Sequence, residues 1–325
     1  MPRAVIADAF GPPEVYALRE MPSATVGAGA VRVRIAAAGI SFVDVLTAAG
    51  NYQVKPTLPL IPGSEAAGIV AETGEGVSAF APGDRVICSN WGGLFAEEIV
   101  LPERSLTRIP EGMDLAEAAV FQVSFATAWH ALADRGQVRP GETVLVLGAG
   151  GATGYAAVQV ARYLGAKVIA SASSPEKRAL AIAGGAETAV DARSAVWRDD
   201  VKAANGGKGV DVVFDPVGGE ATDPAFRSLG WGGRHLVVGF PGGIAALRTN
   251  LPLLKGASLV GVDIRQFGIF EPEKAATNKA RIFELAGQGM LRPAIARTYP
   301  LEEYVAAMND AASGQSAGRI LLTME

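Results

Sequence analysis

The chain is poor in the two residue types that hold most zinc ions and disulfides. Its 325 residues include one cysteine, Cys88, and two histidines, His130 and His235. A single thiol excludes an intrachain disulfide and a cysteine-based metal cluster. One thiol and two imidazoles are also too few for a four-ligand zinc site, so we expect no bound metal.

Basic clusters and long apolar runs are lacking as well. Lys and Arg number 29 against 33 Asp and Glu, the formal net charge is −4, and no stretch concentrates the cations. Nucleic acids and anionic membranes attract basic surfaces, so we expect neither as a partner. No run is long and apolar enough for a signal core or a membrane span, and we therefore expect a cytoplasmic protein.

Glycine, in contrast, is abundant, with 40 residues, and one glycine-rich stretch has a recognisable layout. Four apolar residues (144–147) run into Gly148, and glycine recurs at Gly151 and Gly154 before a helical pattern begins. This order predicts strand, turn and helix, whose first N–H groups can bind a dinucleotide pyrophosphate if the turn carries no bulky side chain. The spacing is G-x-x-G-x-x-G instead of G-x-G-x-x-G, so a plain glycine-rich corner is the alternative. Further small residues between the glycines favour the phosphate loop.

The next predicted strand, 167–170, indicates which dinucleotide binds. It runs into a serine-rich segment, 171–174, at the place where an NAD-binding sequence has a carboxylate for the ribose hydroxyls. Hydroxyls there, with Lys177 and Arg178 one turn later, favour a 2′-phosphate, so we predict NADPH as the cofactor. Ser174 is also suited to cap a helix that begins at the following proline, which would make the two cations ordinary solvated charges. The two interpretations are compatible.

The two halves of the chain differ in their periodicity. Up to about residue 120 the segments are short, β-rich and separated by Gly/Pro turns, which is typical of a small barrel. Beyond residue 143, strands alternate with helical stretches, which is typical of a doubly wound parallel sheet. Its six strands are predicted at 144–147, 167–170, 189–191, 210–214, 235–239 and 258–262. The last sixty or so residues could hardly form a core alone, so we infer that they return to the first domain and that the dinucleotide domain is an insertion.

Several motifs occur in the order of one known family. They are AAGISFVD (37–44) with GNY (50–52), IPGSEAAG (61–68), PGDRV (82–86), GAGGATGYAAVQ (148–159), GVDVVFDPVGG (209–219) and LKGAS (254–258). On these motifs, along nearly its whole length, the chain resembles the zinc-independent quinone oxidoreductases of the medium-chain dehydrogenase/reductase superfamily. The resemblance implies an α/β fold with a GroES-like β-barrel catalytic domain (1–122 and 265–325) and an inserted Rossmann domain (123–264). It also implies bound NADPH, an active site in a cleft between the domains, and a homodimer.

The resemblance bears on the reaction as well. In the related zinc alcohol dehydrogenases cysteine and histidine hold the catalytic metal, and the matching positions here are Ser41 and Ser64. A hydroxyl is a poor zinc ligand beside a thiolate or an imidazole, which agrees with the prediction of no metal. Without a metal to polarise an alcohol, we expect hydride transfer to an already activated acceptor, a quinone or another α,β-unsaturated carbonyl compound.

The family's cofactor contacts carry over residue by residue. They are Gly148, Gly151, Ala152 and Thr153 at the pyrophosphate; Ser173, Ser174 and Lys177, with Ser171 beside them, at the adenosine 2′-phosphate; Thr127 near the nicotinamide ribose; Val217, Val238, Gly239, Phe240, Val262 and Asp263 around the nicotinamide; and Arg319 near the phosphates. The chain departs from the family at two positions. Ser41 stands where asparagine is more frequent, and Ala192 replaces a tyrosine near the adenine phosphate, with Arg193 as the residue expected to compensate for it.

Three residues are the catalytic candidates. Tyr52 is the predicted hydrogen-bond donor to the acceptor oxygen; the alternative is that it closes a loop and that water supplies the proton. Ser41 and Asp44 share one motif, and we expect the Asp44 carboxylate to bind neighbouring backbone more than to act as a base. Two other functions stay open: an enoyl-thioester reductase, and an NADPH-binding structural or regulatory protein with little turnover, which Ser41 alone favours.

Overall fold

The computed structural model describes residues 1–53 and 55–324, which form two compact units. We call the first the terminal unit, because it combines residues 1–122 with the C-terminal segment from residue 294, and the second, residues 123–293, the central unit. Among the described residues no helix has both the length and the apolar character that crossing a membrane requires.

The N-terminal part of the terminal unit is mostly β-structure. It contains β1 (Arg3–Ile6), β2 (Ala17–Glu20), β3 (Ala30–Ile40), α1 (Phe42–Ala48), β4 (Glu65–Thr73), β5 (Arg85–Ser89), β6 (Glu98–Pro102), β7 (Leu106–Arg108) and α2 (Leu115–Ala118). In β3 the apolar residues Val31, Val33 and Ile35 are buried, while the arginines between them are partly or fully exposed. The alternation places one face of the strand in the core and the other in water.

The central unit is a layered α/β structure. It begins within α3 (Gln122–Trp129), whose first residue belongs to the terminal unit. It continues with β8 (Thr143–Leu147), α4 (Ala152–Tyr163), β9 (Lys167–Ala172), α5 (Pro175–Ala183), β10 (Thr188–Asp191), α6 (Trp197–Ala204), β11 (Val210–Asp215), α7 (Thr222–Arg227), β12 (Leu229–Val237), α8 (Asn250–Lys255), β13 (Ser258–Gly261), α9 (Ile264–Phe270) and α10 (Pro272–Gly287). All strands are parallel, in the order β10-β9-β8-β11-β12-β13. This confirms the predicted doubly wound sheet with β11 and β12 inside it. The chain direction across the sheet reverses between β8 and β11, and ligands of such sheets bind where the carboxyl ends of these strands diverge.

The chain then returns to the terminal unit, as the resemblance to a GroES-like domain implied. β14 (Ile295–Pro300), α11 (Tyr304–Ser313) and β15 (Arg319–Thr323) complete that unit. β15 pairs antiparallel with β3, Ile320 opposite Ile40, in a seven-stranded sheet of order β14-β15-β3-β4-β5-β7 with β6 added on β3. Both ends of the chain therefore share one core, in which Ile320 and Leu322 are buried among side chains of β3 and β4.

The second boundary between the units lies at 293/294 and not at the predicted 264/265. Residues 265–293 belong to the central unit because both their apolar and their polar side chains have partners there. The Phe267 ring stacks on His130 with a centroid distance of 3.8 Å, and Arg281 donates to the Tyr163 hydroxyl. The absence of a seventh strand pattern after residue 267 was therefore a sign of added helices, not of a change of domain.

Candidate active site

The phosphate loop has the predicted conformation, and each glycine has its own reason to be there. Gly148 follows the fully buried strand β8 with φ of +56°, a conformation that side chains disfavour. A Cβ at Gly154 would lie 2.2 Å from the Gly148 carbonyl oxygen, and one at Gly150 would lie 2.4 Å from Lys177 Cβ. Backbone geometry or close packing therefore requires these three glycines.

Gly151 is different, and it is the position that fits a bound phosphate. It is the N-cap of the twelve-residue helix α4, and a Cβ there would make only ordinary contact, 3.4 Å from the Gly148 oxygen. No side chain of the described residues caps this end, so the N–H groups of Ala152 and Thr153 in its first turn have no side-chain acceptor at the cap position. An uncapped helix N-terminus that begins at a residue without a side chain suits the pyrophosphate of a dinucleotide.

Serines and cations gather beyond β9, where the adenosine end was predicted. Ser171 is buried, and its carbonyl accepts from the Ala149 N–H of the phosphate loop at 3.1 Å. Ser174 caps α5 by accepting from the Lys177 N–H at 3.3 Å. This is the helix-capping role that the sequence suggested as an alternative to 2′-phosphate binding. The side chain of Lys177 is buried against Gly150, and burial, followed by the charge of Arg193, lowers the pKa of its ammonium.

Arg193 is close enough to lower the pKa of Lys177, and two cations so close together favour an anionic ligand. Ser173, half-buried, stands next to the cap serine. Arg178 pairs with Asp191 at 3.2 Å and donates to the Ala172 carbonyl, so its guanidinium serves the fold. Lys177 and Arg193, whose charges lie close together, are the better candidates for a 2′-phosphate.

The residues predicted around the nicotinamide lie at the carboxyl ends of neighbouring strands. Val217 follows β11, and its Cγ2 is 3.0 Å from the Cβ position of Gly148. The N–H groups of Val238 and Gly239, beyond β12, point to the carbonyl of Asp215 at 2.9 and 3.4 Å. Phe240 is 44% exposed and lies against Gly218, a contact that leaves no room for a Cβ there.

The last strand brings Val262 and Asp263 to the same edge of the sheet. The Val262 N–H donates to the Val237 carbonyl at 3.0 Å, and Asp263 caps α9 by accepting from two N–H groups. Thr127 lies buried in α3, and its hydroxyl donates to the Val123 carbonyl at 2.7 Å. Because its proton is used in this bond, the Thr127 hydroxyl can only accept a hydrogen bond from a ligand.

A buried hydrogen-bond network around Asp215 fixes the loop at the carboxyl end of β11. The sequence did not reveal this network. The Asp215 carboxylate accepts from the N–H groups of Val217 (2.9 Å) and Gly218 (2.8 Å), from the Thr222 hydroxyl (2.7 Å) and from His235 Nε2 (3.0 Å). Burial alone would raise the pKa of Asp215, but the hydrogen bonds from His235, Gly218 and Thr222 together lower it. The available signal was an aspartate at the end of an apolar strand, a short distance before Gly218, a pattern that favours side-chain-to-backbone bonds.

In the terminal unit Ser41 and Asp44 form a reciprocal cap at the start of α1. The Ser41 hydroxyl and N–H both donate to Asp44 Oδ2, at 2.5 and 2.7 Å, and the Asp44 N–H donates back to Ser41 Oγ at 3.2 Å. The carboxylate thus contacts neighbouring backbone, the role we expected for it. Burial raises the pKa of Asp44, against hydrogen bonds from Ser41 and Ser64 and the positive charge of Arg319.

Arg319 belongs to the same unit, and the carboxylate of Glu65 lies close enough to balance part of its positive charge. Its Nη2 lies 3.5 Å from the Glu65 carboxylate, and both side chains are buried. A Cβ at Gly39 would lie 2.8 Å from that nitrogen, so the guanidinium rests against the backbone of β3. Among the described residues Arg319 Nε has no hydrogen-bond partner. Glu65, like Ser64, was not recognised from the sequence as part of the site.

Tyr52 is half-buried in the segment after α1, and the structure adds an aromatic neighbour to it. Its ring centroid is 5.7 Å from that of Trp91, with an angle of 43° between the planes. Trp91 lies in the loop after β5. No feature of the sequence near Trp91 indicated that it would meet Tyr52, because the two loops are far apart in the chain.

The donor set for a metal is sparse. Within residues 1–53 and 55–324 no group of three or more His, Cys, Asp and Glu side chains is arranged to hold an ion. Ser41 and Ser64 offer hydroxyls that both hydrogen-bond Asp44. The one thiol, Cys88, is buried in β5, where burial raises its pKa to about 12.

Comparisons with known proteins agree with this architecture. Residues 27–111 match the model of the alcohol dehydrogenase GroES-like domain, and residues 152–278 match that of the zinc-binding dehydrogenase. Quinone oxidoreductase-like protein 2 of Mus musculus is 38% identical over 315 residues, which cover 95% of this chain and 89% of the relative.

Two solved structures extend the comparison. The quinone oxidoreductase of Thermus thermophilus, determined also in complex with NADPH, is 32% identical with a TM-score of 0.86 over 99% of this chain and 100% of that one. The CurK enoyl reductase is 26% identical with a TM-score of 0.89 over 100% and 99% of the two chains.

Fold and site together define an oxidoreductase that combines a GroES-like domain with a dinucleotide-binding parallel sheet. At the identity and coverage just given, the chain belongs to the quinone oxidoreductase family of the medium-chain dehydrogenase/reductase superfamily. The family predicted from the sequence motifs is thereby confirmed.

Proposed function

We propose that the protein is an NADPH-dependent reductase that transfers hydride, without zinc, to quinones or other α,β-unsaturated carbonyl acceptors. The observation that best supports NADPH as the cofactor is the uncapped start of α4 at Gly151, together with the cluster of Ser174, Lys177 and Arg193. The quinone oxidoreductase from Thermus thermophilus, with its NADPH complex, supports the same choice.

The central unit would hold the cofactor through the groups described above. The backbone N–H groups of Ala152 and Thr153 bind the pyrophosphate, which lies against the side-chain-free Gly151 in the turn that Gly148 makes possible. Side chains around Ser173 and Lys177 bind the 2′-phosphate, and the edge from Val217 to Asp263 borders the nicotinamide. Thr127 and Arg319 stay predictions, as contacts of the nicotinamide ribose and the phosphates.

The chemistry of the acceptor falls to the terminal unit. When bound, NADPH supplies the hydride; the residues of the chain only bind, orient and hydrogen-bond the acceptor. Tyr52 is the proposed donor to the acceptor oxygen. Ser41 is kept in one orientation by Asp44, and a carboxyl whose pKa burial raises is suited to share a proton with that hydroxyl.

No step is assigned to zinc because the donor chemistry does not fit it. Hydroxyls of Ser41 and Ser64 stand where the zinc enzymes have cysteine and histidine, and a neutral hydroxyl binds zinc weakly. The Cys88 thiol, buried and protonated at neutral pH, is no substitute.

The experiment that tests the proposal follows NADPH oxidation by the loss of its absorbance as quinones and enones are added. We expect turnover with NADPH and a kcat/KM for NADH at least about tenfold lower, since a lost charge-assisted contact costs about 1.5–3 kcal/mol. Equal use of NADPH and NADH would contradict the assignment of the 2′-phosphate site. Tight NADPH binding without oxidation by any acceptor would favour the structural or regulatory alternative.

A second candidate is the reduction of enoyl thioesters, which the likeness to the CurK enoyl reductase favours. It requires the acceptor side to admit a pantetheine arm. A crotonyl thioester of pantetheine tested beside a quinone distinguishes the two: the quinone should give the higher kcat/KM if our first proposal is correct.

We also propose a homodimer formed through the free edge of the central sheet. β13 is the last strand in the order, and Leu259 on it is 50% exposed; on α8, Leu253 and Leu254 are 78% and 66% exposed. Burying such an edge against a second copy removes both open backbone groups and apolar surface from water. Light scattering should give twice the 33.4 kDa chain mass, and Leu259→Lys should give the chain mass. The cytoplasmic location stays a prediction.

A further inference from the structure

Trp91 is an exposed aromatic side chain on a loop that is itself well anchored. Its side chain is 44% exposed, although indole is among the side chains that gain most from burial. Gly92 and Gly93 follow it with φ of +99° and +92°, so the loop takes a shape that other residues disfavour. The indole is therefore held at the surface by the backbone.

Hydrogen bonds hold this loop against the segment that carries Ser64. The Gly93 N–H donates to the Ile61 carbonyl at 2.7 Å, and the Asn90 N–H donates to the Ser64 carbonyl at 3.3 Å. The Asn90 side chain donates to the Gly92 carbonyl at 2.9 Å and closes the loop on itself. These bonds leave Trp91 little freedom to turn inward.

The segment that carries Gly63 and Ser64 is also closely packed. Gly63 has a φ of +99°, and a Cβ there would lie 2.4 Å from the ring of Phe95, which is fully buried. From Ser64 the network continues to Asp44 and Ser41 through their hydrogen bonds. The loop that carries Trp91 is thus linked by hydrogen bonds to the catalytic candidates Ser41 and Asp44.

The geometry with Tyr52 defines what this surface can bind. A flat ring inserted between two aromatic rings needs about 7 Å between their centroids, twice an ordinary contact of about 3.5 Å. The Tyr52 and Trp91 centroids are 5.7 Å apart and their planes differ by 43°, so nothing fits between them. A planar ligand therefore does not insert between the two rings, and the exposed part of the indole offers it an aromatic surface for stacking beside the phenol.

We propose that Trp91 determines acceptor specificity by stacking on the ring of the acceptor, and that the preferred class is planar fused-ring quinones over acyclic enones and thioesters. This inference rests on the proposed function and refines it. Trp91 orients the ring while the Tyr52 hydroxyl meets its oxygen. No covalent step is added to the reaction.

The test compares two acceptors across matched variants. For 1,4-naphthoquinone, Trp91→Ala should lower kcat/KM about 2- to 10-fold, the range given by about 0.5–1.5 kcal/mol for an aromatic pair, while Trp91→Phe should retain most of it. For but-3-en-2-one, which has no ring, both variants should stay within about twofold. Met21→Ala, an apolar surface truncation at the end of β2 in the same unit, should change neither acceptor.

A binding measurement separates this inference from the proposed function. With NADP⁺ in place of NADPH nothing is reduced, and equilibrium dialysis gives the naphthoquinone Kd directly; Trp91→Ala should weaken it by a similar factor. If Trp91→Ala weakens naphthoquinone binding but the unmodified protein does not oxidise NADPH with any acceptor, the proposed function is overturned and the role of Trp91 in ligand binding stands. Equal losses for ring and acyclic acceptors, or an unchanged naphthoquinone Kd, would overturn the role of Trp91.

Discussion

Each unit buries one aspartate at its site, Asp215 in the central unit and Asp44 in the terminal unit, and their hydrogen bonds shift the two pKa values differently. Asp215 in the central unit accepts from four donors within 3.0 Å, one of them a histidine, and its pKa is lowered. Asp44 in the terminal unit relies on serine hydroxyls and one N–H group, and its pKa is raised. Burial acts to raise both pKa values, and the hydrogen bonds outweigh it at Asp215 but not at Asp44.

The contrast suggests a division of labour. A carboxylate that is fully satisfied in its charged form fixes the loops around it, which suits a unit whose proposed task is to bind a cofactor. A carboxyl that is less well satisfied can change protonation at modest cost, which suits a unit whose proposed task includes proton transfer. Variants of the central unit should therefore affect stability and affinity, and those of the terminal unit should affect turnover.

The largest expected effect is on stability, in a pair of matched amide substitutions. Asp215→Asn replaces an acceptor of four hydrogen bonds by a neutral group that must turn its NH₂ toward a donor, and we expect a loss of about 3 kcal/mol in the free energy of unfolding. Asp44→Asn removes a charge that burial disfavours, and we expect a change below about 1 kcal/mol. Urea unfolding at pH 7 checks both; equal losses would contradict the contrast.

The pH dependence of stability should carry opposite signs for these two groups. The lowered pKa of Asp215 adds stability that is present above its unfolded value of 3.8 and is lost as the pH falls through the folded pKa. The raised pKa of Asp44 costs stability above the folded pKa, and this cost disappears below 3.8. The deficit of Asp215→Asn should thus shrink in acid, as unfolding curves at decreasing pH would show.

The next effect concerns the choice of cofactor in the central unit. Lys177→Met keeps the length of the buried stem and removes the charge, so we expect the Kd for NADPH to rise about 10- to 100-fold, with little change for NADH. Arg178→Met is the matched control, because Asp191 already occupies that guanidinium. Calorimetric titration decides; a similar rise for both cofactors would mean that Lys177 does not contact the 2′-phosphate.

A smaller effect separates ligand space from packing space in the phosphate loop. Gly151→Ala adds a methyl group that finds only ordinary contact in the protein, so stability should change by less than about 1 kcal/mol while the Kd for NADPH rises about tenfold. Gly154→Ala should instead destabilise the fold, because its Cβ would overlap the Gly148 oxygen. Unchanged NADPH affinity in Gly151→Ala would contradict the placement of the pyrophosphate.

The smallest expected effect lies in the terminal unit. Tyr52→Phe keeps the ring against Trp91 and removes one hydroxyl, so we expect kcat with a quinone to fall about fivefold, near 1 kcal/mol for a neutral hydrogen bond, at unchanged NADPH affinity. Stopped-flow measurement of the hydride-transfer step checks this. An unchanged rate would leave water as the proton donor.

The sequence allowed good prediction wherever local rules decide the structure. The turn at Gly148, the cap at Ser174 and the buried strand β11 depend on neighbours within a few residues, and each was recognised from its pattern. The boundary at the C-terminal end of the central unit was predicted too early in the chain. The reason is that α10 has an ordinary amphipathic pattern, which does not indicate which unit the helix packs against.

The contacts of the site that were missed join segments far apart in the chain. His235 meets Asp215 across neighbouring strands, Arg319 meets Glu65 over 254 positions, and Trp91 meets Tyr52 through loops whose approach depends on strand register. Periodicity and motif spacing contain no information on such pairs. They arise only once the sheets have formed.

The measurement that tests the central claim most directly is steady-state NADPH oxidation by 1,4-naphthoquinone before and after exhaustive treatment with a zinc chelator. We expect the same kcat in both samples and a clear preference for NADPH over NADH. Loss of turnover on chelation that added zinc restores, or equal use of the two cofactors, would contradict a zinc-independent reductase that recognises the 2′-phosphate.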